Sequence, residues 1–148
     1  MDNINNFEKA KEFFQQGLNK LQKEKYEDAE VDFLESLKLV PDRLTTLHNL
    51  ISLYIVSEQK NKLKEILKSY HHLINENEIQ YGFAFDQYFD QNYSKSIEIC
   101  QKLMTLDKFK YSIIDLMASN FKKQKLFLET LRIYKKKIKR KKGLFSLL

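Results

Sequence analysis

Ala29, Leu63, Ser96 and Thr130 stand 34, 33 and 34 residues apart, and Gly17, Ile51, Ala84 and Ala118 run through the chain at the same three intervals. Six of these eight side chains are small, the type needed where two helices cross closely. Two series in register constrain the fold more than any single helix does, because a fixed period of this length marks one supersecondary unit repeated and stacked.

The large apolar positions keep the same period. Phe33, Leu67, Cys100 and Tyr134 hold one site without exception. Phe13, Leu47 and Ile114 hold a second, from which Gln80 departs, and Leu50, Phe83 and Met117 hold a third, from which Gln16 departs. Tyr26, Tyr93 and Phe127 mark the corner between helices in three of the four units. Helical periodicity and breakers then place eight helices near 7–23, 27–39, 43–57, 61–74, 78–91, 95–106, 110–124 and 127–141, with Asp42, Asn77 and Asp107 as caps or turn residues. With three glycines and one proline in 148 residues, strands and long loops have little room. The expectation is an all-α chain forming one domain over residues 1–148, divided into units at about 10–43, 44–76, 77–110 and 111–144.

These residues resemble the tetratricopeptide repeat family, whose helix-turn-helix unit places a bulky residue and Leu-Gly on its first helix, Ala-x-x-x-Phe on its second and a proline at its close. The first unit carries "FQQG" over Phe14 to Gly17, "AEVDF" over Ala29 to Phe33, and Pro41; the third carries "LMTLDK" over Leu103 to Lys108. The second unit departs at Leu63, where the family has Ala, and the fourth at Lys137, where it has a small buried residue. The resemblance implies a right-handed α-α solenoid of about four units, with the first helix of each pair lining a concave face that holds a peptide or a helix of another protein. Mapped unit by unit, that face includes Phe14, Leu18, Asn49, Ile55, Tyr81, Phe85, Tyr88 and Phe89, so its middle is aromatic. Phe85 and Tyr88 are the expected exposed pair, while Tyr81 and Phe89 suit packing against a neighbouring helix equally well. The family's clamp for acidic chaperone tails needs Lys and Asn on the first unit, Asn on the second, and Lys and Arg on the third. The matching places hold Phe14 and Leu18, Asn49, and Glu78 and Gly82, so that ligand is not expected.

The chain therefore reads as a protein–protein interaction scaffold or adaptor that binds a peptide or an amphipathic helix in an aromatic groove. It is not read as an enzyme, and no cofactor is expected. There is no Gly-rich phosphate loop and no His-Glu pair at metal-ligand spacing. His71 and His72 are adjacent, which points them about 100° apart on a helix, and Cys100 reads as a small core residue.

Charge supplies the rival reading. Residues 122–142 hold eleven Lys or Arg and one acid, Glu129, a balance of +10 that leaves −4 on residues 1–121 against the total of +6. Arg132, Lys135, Lys136, Lys139, Arg140 and Lys142 are candidate contacts to an anionic membrane surface or a nucleic acid, which makes the chain an accessory domain localised by its basic C-terminal end, 132–148. The plainer alternative is a solvated terminal helix whose "GLFSLL" folds back over the last unit. Self-association through an uncapped end is a third expectation. No secretory signal and no run of about 20 apolar residues is visible, so the reading is cytoplasmic, with a peripheral place on a membrane left open.

Overall fold

The computed structural model describes residues 2–145; beyond it lie residues 1 and 146–148 and the side chains of Thr130, Lys137, Arg140 and everything from Lys141 on. The expected contacts of Arg140 and Lys142, and the side chain of Lys137 at which the fourth unit departs from the family, fall outside the described residues. Within them the chain is all-helical, with no strand. Seven α-helices follow in order: α1 Asp2–Gln22, α2 Tyr26–Leu39, α3 Leu44–Val56, α4 Lys60–Ser69, α5 Asn77–Phe89, α6 Tyr93–Leu103 and α7 Lys110–Phe145. Single turns of 3-10 helix at His71–Leu73 and Asp107–Phe109 join α4 to α5 and α6 to α7.

Six helices thus stand close to their expected places, and their turns explain why. Between α1 and α2, α3 and α4, and α5 and α6 the chain reverses through one residue of positive φ: Glu24 at 58°, Glu58 at 55° and Gln91 at 64°. The amide after each bonds back five residues, Lys25 to Lys20, Gln59 to Tyr54 and Asn92 to Gln87, at 3.0, 2.8 and 2.8 Å. This is the left-handed helix stop usually built on glycine or asparagine. Each non-glycine residue held in this conformation costs about 1 kcal/mol or more, so burial in the returning helix must offset it.

That burial is visible in the core. Phe33, Leu67 and Cys100, one repeat position on three successive return helices, are 0–2% exposed. A methyl added at Gly17 would stand 2.7 Å from the Phe33 ring, so the ring lies directly against the α1 backbone. Leu47, Leu50, Ile51, Leu53, Leu63, Ile79, Ala84 and Ile113 are fully buried around them. Buried hydroxyls secure the crossings: Ser36 donates to the Ala10 carbonyl and Ser96 to the Ala84 carbonyl, each at 2.7 Å, and the Asn120 amide donates to Ser96 at 2.8 Å. In the main packing α1 meets α2, α3 meets α2, α4 and α5, α5 meets α4 and α6, and α6 meets α7.

The expected break near residue 125 does not occur. Lys125 stands 34 residues after Gln91, the place of a fourth turn, yet α7 runs through it as a single helix. Two of its physical reasons are local. Gln124, Lys125 and Leu126 are good helix formers, and Lys125 faces Glu129 one turn on, at 3.9 Å. The third is what a return would bury: Lys137 stands at the position of the buried Ser36 and Leu103, so closing the pair would bring a charge toward the core as well as straining the turn. The fourth unit is therefore one long helix rather than a helix pair. Gly143, Leu144 and Phe145 continue it, so no fold-back of the tail begins before residue 146.

Candidate functional site

Five of the eight expected groove residues come together. Ile55 at the end of α3 and Tyr81, Phe85, Tyr88 and Phe89 along α5 line one cleft of about 350 Å³, closed on the far side by Ser112, Asp115, Leu116 and Ser119 of α7. Val56 and Glu58 form its rim, and Val56 is 59% exposed. The spacing of 81, 85, 88 and 89 places these rings on one side of α5, and the arrival of α7 opposite turns that side into a trough.

Within the cleft the aromatics divide into floor and wall. Tyr81 is a core residue at 6% exposure, with its ring 5.0 Å from His48, 5.3 Å from Phe109 and 5.2 Å from Phe85. Burial raises its phenol pKa, while hydrogen bonds to Ser112 and Ser52 work the other way. Phe85, Tyr88 and Phe89 are half-buried. Phe85 leans on Phe89 at 6.4 Å, Tyr88 on Phe89 and Tyr93 at 5.9 Å each, and the Lys60 ammonium sits 5.1 Å from the Phe89 ring centre. Phe85 and Tyr88 are thus walls braced by the Phe89 ring between them, each half-buried and lining the cleft.

The other three expected residues lie elsewhere. Phe14 packs against Phe33, with ring centres 6.0 Å apart, and is covered by the Arg43 guanidinium at 4.8 Å. Leu18 packs on the same core. Asn49 turns its amide back to the Thr45 carbonyl at 2.9 Å, within its own helix. Among the basic candidates, Arg132, Lys135, Lys136 and Lys139 are exposed on α7, far along the chain from the cleft-lining stretch.

A charged cluster stands beside the cleft floor. Lys108 bonds Glu78 at 2.7 Å. Burial works against the Glu78 carboxylate, but its hydrogen bond and ion pair with Lys108 outweigh that, and its pKa lies below the ordinary value. His48, wedged between Tyr81 and Phe109, is held below the ordinary histidine pKa by burial and then by the Lys108 charge, against the pull of Glu78. Cys100 is buried, and burial pushes its thiol up to about 11, which makes it inert as a nucleophile near neutral pH. His72 pairs with Asp42 at 3.0 Å. Among the described residues no group of three or more His, Cys, Asp or Glu is placed to hold a metal ion.

Leu116, Ser112 and Glu58 belong to the cleft and were not among the expected lining residues. The first two face it because of how α7 docks. Glu58 arrives through its left-handed turn, for which glutamate gives no local signal; only the recurrence of 24, 58 and 91 in the repeat marks it. No protein-family model and no curated protein matches the chain.

Proposed function

We propose that the chain is a solenoid of tetratricopeptide type acting as a protein–protein interaction module, and that the α3, α5 and α7 cleft takes an apolar anchor from a peptide or amphipathic helix of its partner. The observation that carries this is the cleft itself: about 350 Å³, walled by Phe85, Tyr88, Phe89 and Ile55. That volume admits one or two large apolar side chains, and rigid aromatic walls contribute contact area at little entropic cost. The three strained turns repeating at 34 and 33 residues support the solenoid reading, since they place one reversal in the same register of three successive units.

The experiment is a quantitative pull-down from native lysate, comparing the intact chain with a Phe85→Glu/Tyr88→Glu double substitution whose helicity matches by circular dichroism. The expected result is a protein retained by the intact chain and lost by the variant. Equal retention by both would remove the cleft as the binding site.

A further inference from the structure

The C-terminal half of α7 runs past the α5–α6 turn and exposes a line of apolar side chains. Phe127, Leu131, Tyr134 and Ile138, spaced four, three and four residues apart, fall along one side of a helix with 3.6 residues per turn. They are 58%, 39%, 61% and 54% exposed. The line extends the side of α7 that carries Ile113, Leu116 and Asn120, all buried. It begins at a recess of about 540 Å³, where Phe127 and Leu128 face Tyr93 and Asn92. At about 100° per residue, Lys135 lies beside the line and Lys136 opposite it.

Four occupants suit such a face unequally. A second copy laid seam to seam would bring together two segments of +10 each. The chain's own return would need Lys125 in the strained left-handed turn. A nucleic acid would meet the lysines through its phosphates and leave the apolar line in water. An anionic bilayer uses both features, since apolar side chains enter the headgroup and acyl boundary while Lys135 beside them reaches lipid phosphates and carboxylates. No helix among the described residues is long and apolar enough to cross a membrane, so the fit is to a helix lying along the surface.

We propose that residues 126–139 of α7 bind the surface of an anionic lipid bilayer, with Phe127, Leu131, Tyr134 and Ile138 turned inward. This is independent of what the cleft holds. The test is flotation of the intact chain with phosphatidylcholine vesicles, with and without phosphatidylserine, at low and high salt. Binding is expected only with phosphatidylserine, weakening as salt rises. Phe127→Ser/Tyr134→Ser should weaken it by about 100-fold. Lys135→Ala should weaken it by about 5-fold, and Lys136→Ala, on the far side, by less. The two lysine variants leave the apolar line intact and so carry the test independently of any change in helicity. Equal binding to both vesicle types, or none to either, overturns the proposal. So does equal loss in the two lysine variants with the apolar variant unaffected, the pattern of diffuse phosphate contact, which an RNA duplex would then reproduce. A doubled mass in sedimentation that the apolar variant abolishes, without vesicle binding, would assign the seam to a second copy instead.

Discussion

Phe33 and Tyr134 occupy the same place in the repeat and meet opposite ends: the first is fully buried against the backbone of α1, the second is 61% exposed on a helix that does not turn back within the described residues. The 34-residue pattern is alike in both regions, so it does not by itself decide whether a helix pair closes. What differs is the return segment. In the first three units it brings Phe33, Leu67 or Cys100 into a core that outweighs a strained turn; in the fourth Tyr134 comes with Lys137, a charge at the repeat position of the buried Ser36 and Leu103. A repeat in sequence thus specifies a reversal only where the surface it would bury exceeds the cost of making it.

The largest effect that would break this contrast is truncation at the two equivalent sites. Phe33→Ala removes a fully packed ring and should cost about 3–5 kcal/mol, read as a fall in the denaturation midpoint. Tyr134→Ala removes an exposed ring and should stay within about 0.5 kcal/mol. Comparable losses at both would mean that the end of α7 is packed against the body in solution.

Next in size is a change of sign at the turns. Glu58→Gly relieves a residue held at φ 55°, and should stabilise the fold by about 1 kcal/mol. Lys125→Gly, at the equivalent position inside a continuous helix, should lower stability or helicity by a similar amount, about 1 kcal/mol. If Lys125→Gly stabilised the protein instead, the fourth unit would close as the others do.

Much of this was legible in the residues. The period placed six helices because each of their ends coincides with a return that buries apolar surface, and the line of 81, 85, 88 and 89 placed the aromatic wall because all four lie on one side of one helix. Phe14 and Leu18 do not line this cleft: the first pair packs Phe14 on Phe33 and beneath Arg43, which no spacing rule reveals. Asn49 bonds back within its own helix, to the Thr45 carbonyl. The continuity of α7 through Lys125 was the least legible feature. It turns on a balance of about 1 kcal/mol at Lys125, and the sequence shows neither the strain at Glu24, Glu58 and Gln91 nor the burial that offsets it.

The smallest expected effect concerns pH, and it belongs to the body alone. His48 is wedged between Tyr81 and Phe109 with Lys108 nearby, and burial followed by that charge lowers its pKa in the fold, while Glu78 opposes the shift. A histidine whose folded pKa lies below its unfolded value contributes full stability above about pH 6.5. As pH falls from there toward the folded pKa, the unfolded chain takes up protons that the folded chain refuses, and stability is lost. Glu78, also lowered, acts in the same direction but further down, through the carboxylate range. Thermal midpoints measured on either side of pH 6.5 should therefore fall on acidification in the intact chain. In His48→Phe, which keeps an aromatic ring between Tyr81 and Phe109, they should stay nearly flat until the carboxylate range. An equal fall in the variant would assign the dependence to another group. A flat intact chain would mean that water reaches the His48 ring, and that the cleft floor is looser than its ring contacts imply.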